Sequence, residues 1–365
     1  MNAEFTHKRA QIRALLKSAE AEAALLGRQS SFSWLTCGGE GHVALASERA
    51  ACSLVVTAKQ VYLIANRIEM PRLLAESVRG LPIEPMVHDW HDGDGALGAL
   101  KKIANPEQTI SDTGEFGTRA AADLLAPLRY SLLPEEVKRL RDLSRLAEAA
   151  MRETCFAIKP GQDEFNIAAQ LSNACLDRQV TPVVVLIAVD ERIRRYRHPL
   201  PTAKKLKRHA MLVLCARQNG LIVSVTRLVH FGKLPADLRP RHNAACAVDV
   251  AFISNTRIGT PVREVFRRGL AAYAEQGFAD EWHLHHQGGP CGYQTRDFVA
   301  TPTVGGVVMP NQAFAWNPSI TGTKSEDTIL ATPRGPQILT AARDWPMLKF
   351  SVDGETVLRP DILTR

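Results

Sequence analysis

Residues 209–230, HAMLVLCARQNGLIVSVTRLVH, place two apolar runs on either side of Asn219-Gly220. An Asn-Gly pair between alternating apolar segments is the strongest short-range signal for a two-residue β-hairpin turn, because both turn positions need a positive φ. We therefore predict two long antiparallel strands here. Any fold proposed for the chain has to contain this hairpin.

Before this hairpin, the first part of the chain alternates helices with short apolar strands. The pattern predicts a charged amphipathic helix over residues 1–26, a strand within 31–39 and a strand–turn–strand over 51–66. These elements predict an αβ domain over residues 1–132.

The rest of the chain also mixes helices and strands. Pro134 and Asp163 each stand at the start of a run with helical periodicity, and proline suits the first helical turn as aspartate suits the cap. A strand is predicted at 180–189 and a helix at 261–277. We predict an α+β chain of two domains, the second over residues 133–365.

Composition excludes several classes of protein. No apolar run of the 365 residues reaches the roughly 20 that span a bilayer. Seven cysteines without a CxxC pair favour reduced thiols over a disulfide framework or a zinc ribbon, so we expect a cytoplasmic protein without a membrane partner. No GxGxxG or Walker pattern suggests a nucleotide cofactor.

Positive charge is concentrated in one segment. The net charge is +7, and residues 192–236 contain eleven Lys or Arg but no Asp or Glu. The segment is either a solvated basic face or a site for a small anionic substrate. A nucleic acid partner is disfavoured, because no helix-turn-helix or aromatic-interleaved pattern accompanies the charge.

Six motifs in a fixed order carry a resemblance to a known family. They are Pro160-Gly161 with Glu164, His198 in YRHPLPT, Thr226-Arg227, His286 before Gln-Gly-Gly, Asn317-Pro318, and Glu326-Asp327 with Leu339-Thr340. In this order they resemble the creatinase, aminopeptidase P and prolidase family, which is M24-like. The resemblance implies a creatinase-type N-terminal domain over 1–132 and a catalytic pita-bread domain over 133–365.

Metal-dependent members of that family hold two divalent ions with two Asp, one His and two Glu. By the resemblance, the Asp positions carry Val213 or Cys215 and Ser224, and the first Glu position carries Asn317. His286 and Glu326 remain, which is fewer than the three protein ligands of a catalytic zinc. We therefore expect no metal and no other cofactor. A mononuclear site built from His198, Cys215, His286 and Glu326 is the alternative.

The resemblance to metal-free creatinase implies that His198 transfers the proton, because an imidazole titrates near neutral pH. The alternative is an ordinary loop histidine. His286 and Glu326 are predicted to face each other, with the carboxylate favouring the imidazolium. Tyr293 is either a hydrogen-bond donor to an oxyanion or a packed aromatic.

Four further residues are predicted to bind the substrate. Ser224 and Asn317 offer neutral hydrogen-bonding groups where the relatives bind metal. Arg296 either clamps a carboxylate or pairs with Asp297, and Arg227 either contacts the substrate or holds strands together. His283, His285 and Cys215 are predicted to be structural or peripheral.

These expectations favour a metal-independent, creatinase-like hydrolase that acts on a C–N bond of a small polar or anionic substrate. The alternatives are a non-catalytic pita-bread binding module, a lyase, and an Xaa-Pro aminopeptidase-like enzyme with one metal. The resemblance also implies a homodimer, with the segment that contains Trp34 reaching the partner.

Overall fold

The computed structural model describes residues 2–365, which form two compact units. The first unit comprises the residues up to Glu136 together with Asn219–Leu221, and the second comprises Val137–Gln218 and Ile222–Arg365. The domain boundary between residues 132 and 133 stays a prediction. Within residues 2–365, no helix combines the length and the hydrophobicity that crossing a membrane requires.

A six-stranded sheet forms the centre of the first unit. Its strands are β1 (Ala23–Arg28), β2 (Arg49–Thr57), β3 (Val61–Asn66), β4 (Glu84–His88), β5 (Thr109–Ser111) and β6 (Arg119–Ala120). They lie in the order β4-β3-β2-β1-β5-β6, with β1 antiparallel to β2 and parallel to β5. Five of the six residues of β1 are buried, as expected for a central strand.

Short helices complete this unit: α1 (Ala3–Ser18), α2 (Gln29–Leu35), α3 (Met70–Arg72), α4 (Gly95–Lys101) and α5 (Ala122–Leu125). A π-helical turn (Leu73–Ser77) and two 3-10 turns (Pro106–Gln108, Ala126–Arg129) accompany them. The side chain of Asn2 caps α1 by accepting a hydrogen bond from the Phe5 N–H at 3.1 Å.

Two sequence predictions for this unit are wrong. The opening helix ends at Ser18, and Ala23–Arg28 forms β1 instead of the end of a helix. The segment predicted as a strand within 31–39 is largely helix α2, whose seven residues are all buried. The segment 31–34 alternates polar and apolar residues as a strand does, and because α2 is buried throughout it has no exposed face whose 3.6-residue period would indicate a helix.

Five helices belong mainly to the second unit: α6 (Pro134–Ala157), α7 (Glu164–Leu176), α8 (Glu191–Arg195), α9 (Leu238–Asn255) and α10 (Val262–Glu275), with a 3-10 turn at Glu281–Leu284. The predicted helix starts are confirmed. Pro134 is the first residue of α6, and the Asp163 side chain caps α7 by accepting from the Asn166 N–H at 2.8 Å.

The strands of the second unit are β7 (Thr181–Val189), β8 (His209–Gln218), β9 (Leu221–His230), β10 (Gly288–Cys291), β11 (Ala313–Trp316), β12 (Ser319–Ile320), β13 (Thr323–Lys324), β14 (Asp327–Thr332), β15 (Gly335–Ile338), β16 (Met347–Val352), β17 (Glu355–Pro360) and β18 (Leu363–Thr364). Two four-stranded sheets run β18-β9-β8-β7 and β10-β11-β14-β15. The predicted hairpin is confirmed: β8 and β9 are neighbours, and Asn219 and Gly220 have φ values of 50° and 75°.

An aromatic core lies beneath the second of these sheets. Phe252 of α9 stacks on Trp316 of β11 with 4.6 Å between ring centroids. Gly269 of α10 faces the same phenyl ring so closely that a Cβ at this position would lie 2.1 Å from it. This packing fixes the end of β11, and the next residue, Asn317, enters the candidate site.

Candidate active site

A cavity of about 270 Å³ lies within the second unit. It is lined by Val184, Leu186, His198, Val213, Cys215, His286, Thr295, Arg296, Asn317, Lys324 and Glu326. Its apolar residues come from β7 and β8, Lys324 comes from β13, and the other residues come from segments outside the strands. The cavity therefore exists only once the β7–β8 pair, β13 and these segments are in place.

One wall of the cavity is apolar. Val184 and Leu186 of β7 pair directly with Cys215 and Val213 of β8. Alternate residues of a strand point to the same face, so these four side chains share one surface. The two valines and the leucine offer contact surface to an aliphatic group, but no polar atom.

Glu326 lies on the opposite, polar wall, and both of its carboxylate oxygens are paired. The Lys324 ammonium lies 2.9 Å from one oxygen, and the Arg296 guanidinium lies 3.0 Å from the other. The Thr226 hydroxyl donates a further hydrogen bond at 2.5 Å. Glu326 is 2% exposed, so this carboxylate is neutralised inside the protein.

This pairing determines the protonation state of Glu326. Burial alone would raise the pKa of the carboxyl group, but Lys324, Arg296 and the Thr226 hydroxyl outweigh it and lower the pKa to about 2. Glu326 is therefore ionised at neutral pH. The two cations and one carboxylate leave this wall with one net positive charge.

Three imidazoles meet at one end of the cavity. His198 follows α8, while His285 and His286 lie between the Glu281–Leu284 turn and β10. The Nε2 atoms of His198 and His285 are 3.1 Å apart, and ring nitrogens of all three residues lie within 4.8 Å of one another. His285 was predicted to be peripheral or structural, yet it contacts the predicted proton-transfer residue directly.

The imidazoles are neutral at neutral pH. Burial is the main cause: it lowers the pKa of His286 to about 4, and it lowers the pKa of His285 further. Burial, with the positive charge of Lys324 next, also lowers the pKa of His198. The expectation that Glu326 holds His286 as an imidazolium is wrong, because burial, followed by the nearby Arg296, His198 and Lys324, outweighs the attraction of the Glu326 carboxylate and lowers the pKa of His286.

Ser224 and Arg296 connect the two walls. Arg296 donates from one nitrogen to the Ser224 hydroxyl at 3.2 Å and to the Thr295 carbonyl, and from another to Glu326. Ser224 also lies 3.3 Å from the Cys215 sulfur. The predicted alternative that Arg296 pairs with Asp297 is replaced by its ion pair with Glu326. Three of its five N–H donors are used within the protein.

Asn317 brings an unpaired side-chain oxygen to the cavity. Its backbone N–H donates to the Gln287 carbonyl at 3.1 Å, which fixes the residue just after β11. Its side-chain oxygen is buried and has no hydrogen-bond partner within residues 2–365. A buried polar atom without a partner is costly, so this amide is a place where a ligand would gain a hydrogen bond.

Three predicted site residues are not among the described residues that line the cavity: Ser224, Tyr293 and Arg227. Tyr293 is 3% exposed. Arg227 is 2% exposed and donates to Asp327 and to the Thr340 carbonyl, both at 2.9 Å. Arg227 therefore joins strands together and does not contact a ligand in the cavity.

Sequence reasoning missed Lys324. The signal was present in TKSED, because Lys324 and Glu326 are two residues apart and a period of two places side chains on the same face of a strand. A lysine this close to a predicted site carboxylate is a candidate ion-pair partner for it. His285 could have been predicted to lie near the site because it is next to His286 in the sequence.

Comparison with known proteins identifies the family. The model of metallopeptidase family M24 matches residues 138–333, more than half of the chain. The chain belongs to metallopeptidase family M24. This membership confirms the resemblance drawn from the six motifs, and it makes the protein a peptidase-like hydrolase of that family.

Three similar proteins match most of the chain. An uncharacterized peptidase of Staphylococcus haemolyticus is 21% identical over 294 residues, which are 74% of this chain and 83% of that protein. The dipeptidase PepE of Mycobacterium ulcerans has a TM-score of 0.79 at 16% identity, covering 99% of this chain and 98% of its own. The prolidase of Pyrococcus horikoshii has a TM-score of 0.77 at 16% identity, covering 92% and 99%. These likenesses show the two-domain, pita-bread fold.

One similar structure is not described as a peptidase. The N-terminal domain of the FACT complex subunit SPT16 from chickpea has a TM-score of 0.73 at 11% identity, covering 93% of this chain and 97% of its own. The fold alone therefore does not identify the reaction, and function has to be argued from the cavity.

The residues of this M24 site do not fit the two metal ions that the family name implies. Three of the five ligand positions inferred from the motifs hold no acid: Val213 or Cys215 stands at the first, Ser224 at the second and Asn317 at the third. The remaining carboxylate, Glu326, is paired with Lys324 and Arg296. Two adjacent divalent ions need bridging carboxylates to offset their repulsion. A site that already contains two cationic side chains adds to that repulsion instead.

Proposed function

We propose that this M24 protein is a metal-independent hydrolase that cleaves a C–N bond in a small, carboxylate-bearing substrate. The observation that carries the proposal is the pairing of Glu326 with Lys324 and Arg296 in a cavity that also contains His198 and His286. The cations supply positive charge where metallopeptidases use metal ions. The neutral imidazoles supply groups that accept and donate protons.

In this proposal His198 is the acid–base residue. Its lowered pKa leaves it neutral at pH 7 and able to accept a proton from water as the water oxygen bonds to the substrate carbon. The resulting imidazolium returns the proton to the nitrogen as the C–N bond breaks. His285, whose Nε2 lies 3.1 Å from that of His198, positions the ring.

The test begins with metal-free protein. After dialysis against a chelator, the wild type is assayed on N-substituted amino acids and Xaa-Pro dipeptides. We expect turnover to survive dialysis and His198→Ala to lower kcat by roughly 10²–10⁴-fold, the usual contribution of general acid–base catalysis. The exposed His283 provides the matched control, His283→Ala, which should retain wild-type kcat. Wild-type turnover by His198→Ala would refute the assignment.

The products also distinguish hydrolysis from elimination. Hydrolysis incorporates one solvent oxygen into the product, whereas a lyase leaves a double bond and incorporates none. Mass spectrometry in ¹⁸O-labelled water reads out this difference. A product without the label would replace the hydrolase proposal with a lyase.

A mononuclear metalloenzyme is the second candidate, favoured by the three neutral imidazoles with ring nitrogens within 4.8 Å. Two observations oppose it. The Gly288 N–H donates to His286 Nδ1 at 3.2 Å, which places the proton of the neutral ring on Nε2, and the Lys324 ammonium is nearby. One tightly held transition metal per purified chain, lost in His286→Ala together with activity, would make this candidate the better one.

A further inference from the structure

We propose that the cavity recognises an N-acylated amino acid with an aliphatic side chain, and that Lys324 is the residue that anchors its carboxylate. The inference names the substrate class of the cavity and rests on the proposed function. Three independent features of the cavity carry it: spare N–H donors on a cation, an unpaired side-chain oxygen, and an apolar wall.

Lys324 has hydrogen-bonding capacity left over. An ammonium group has three N–H donors. Among the described residues, the contact of the Lys324 ammonium is with Glu326, at 2.9 Å. Lys324 is 4% exposed and lines the cavity, so its remaining donors are shielded from bulk water. Hydrogen bonds between charged groups are strongest in such surroundings.

Arg296 supports this anchor. Its Nε–H is buried and has no partner within the described residues, although its other nitrogens donate to Ser224, Thr295 and Glu326. With one carboxylate between two cations, the wall carries one net positive charge. A ligand with a single negative charge neutralises it.

Asn317 and the apolar wall identify the rest of the ligand. The side-chain amide of Asn317 has both a donor and an acceptor, and its oxygen is an unpaired buried atom. A secondary amide, which has one N–H and one C=O, is its complement. Val184, Leu186 and Val213 offer no hydrogen bond, so the part of the ligand against them is aliphatic. A carboxylate, an amide and an aliphatic group together describe an N-acylated aliphatic amino acid.

The test compares three small probes by isothermal titration calorimetry at pH 7. N-acetyl-L-leucine has all three features, N-acetyl-L-leucinamide lacks the charge, and 4-methylpentanoate lacks the amide. In the wild type, N-acetyl-L-leucine should bind about tenfold to a hundredfold more tightly than the leucinamide, the range for hydrogen bonds to charged groups. Equal affinity for these two probes would overturn the proposal.

Substitutions separate the roles of the residues. Lys324→Met should abolish the preference for N-acetyl-L-leucine over its amide, and Lys324→Arg should keep part of it. Asn317→Ala should weaken the binding of N-acetyl-L-leucine but leave the affinity for 4-methylpentanoate unchanged. The exposed Lys207 provides a control, Lys207→Met, which should bind all probes as the wild type does. If Lys324→Met keeps the preference for N-acetyl-L-leucine over its amide, another residue binds the carboxylate and the proposal for Lys324 is wrong.

Removal of Lys324 alone leaves Glu326 with fewer partners inside the protein, so the variant risks misfolding. The double variant Lys324→Met/Glu326→Gln removes both charges of the pair and should also lose the preference. Turnover distinguishes this inference from the proposed function. Binding with the expected preference but without turnover would uphold Lys324 as the anchor and overturn the hydrolase. Turnover of N-acetyl-L-leucine, with the preference over its amide retained in Lys324→Met and in Lys324→Met/Glu326→Gln, would uphold the hydrolase and overturn Lys324 as the anchor.

Discussion

At the scale of single residues, the negative charge of the ionised Glu326 is offset by Lys324 and Arg296, and the chemistry of the cavity follows from that pairing. Most of the residues were predictable from the sequence: His198, His286, Arg296, Asn317 and Glu326 all line the cavity. Their partners were harder to predict, because motif order gives positions along the chain but not which charges meet. The predicted protonation of His286 failed for that reason.

The ion pairs of Glu326 should stabilise the fold. Glu326→Gln leaves two cations without their carboxylate, and breaking a buried ion pair costs roughly 3–5 kcal/mol. We expect a loss of that size in the free energy of unfolding at pH 7, measured with urea. Glu264→Gln, at a partly exposed position with ion pairs to Arg267 and Arg268, is the control and should cost less than about 1 kcal/mol.

The effect of this substitution should depend on pH. The pKa of Glu326 falls from an ordinary 4.5 in the unfolded chain to about 2 in the folded protein. The stabilisation is therefore fully present above pH 4.5 and is lost as the pH falls toward 2. The difference between wild type and Glu326→Gln should be constant from pH 7 to 5 and should shrink below pH 4.5. A difference that grows on acidification would contradict the ionised state of Glu326.

Lys324 should also affect the pH at which kcat/KM falls on the acid side of the pH profile. Burial and then Lys324 lower the pKa of His198 from its ordinary 6.5, while Glu326 raises it and Arg296 lowers it. If neutral His198 is the base, kcat/KM falls on the acid side with a midpoint below pH 6.5. Lys324→Met removes a nearby positive charge, so the midpoint should move to higher pH. A pH profile of both proteins measures the shift, and Lys207→Met should show none.

At the scale of elements, the sequence predicted best where local chemistry is specific. The Asn219-Gly220 turn, Pro134 at the start of α6 and the Asp163 cap each depend on one or two residues, and each prediction was confirmed. The prediction failed over residues 19–35, where β1 and α2 are buried almost throughout. Burial on every side is a tertiary property, so no local periodicity records it.

The close approach of α9 and α10 depends on Gly269. A methyl group at this position would overlap the ring of Phe252, so Gly269→Ala should lower the free energy of unfolding by about 1–3 kcal/mol, as overpacking does. Gly98→Ala, the same change at a helical position with open space around it, should be neutral or stabilising. Urea unfolding followed by tryptophan fluorescence measures both. If Gly269→Ala has the wild-type free energy of unfolding, the two helices can move apart without loss of stability and the prediction is wrong.

At the scale of the whole molecule, the order of six weak motifs predicted the family although identity to the solved structures compared above is only 11–16%. The predicted dimer stays a prediction, and one detail of it is corrected. Trp34 is 4% exposed and lies beneath the Lys8 ammonium, so it is not available to a partner. The exposed apolar side chains Val43 and Leu45 of the same segment are better candidates.

A dimer should therefore depend on Val43 and Leu45, which are 67% and 49% exposed. Light scattering at micromolar concentration should give twice the 40.1 kDa of one chain for the wild type and a single chain for Val43→Asp/Leu45→Asp. Ile68→Asp, at another exposed apolar position, should remain dimeric. A wild-type mass of one chain would refute the dimer.

The pairing of Glu326 also makes it difficult for evolution to turn this cavity into a metal-binding site. Suppose that Ser224 mutated to aspartate as a first step toward a metal ligand. Arg296, which already donates to Ser224 at 3.2 Å, would pair with the new carboxylate and keep it from a metal. If Lys324 were lost first, Glu326 would keep too few partners, and the intermediate would lose stability. Each single step is either without benefit or harmful, so a lineage that acquires this arrangement is expected to keep it.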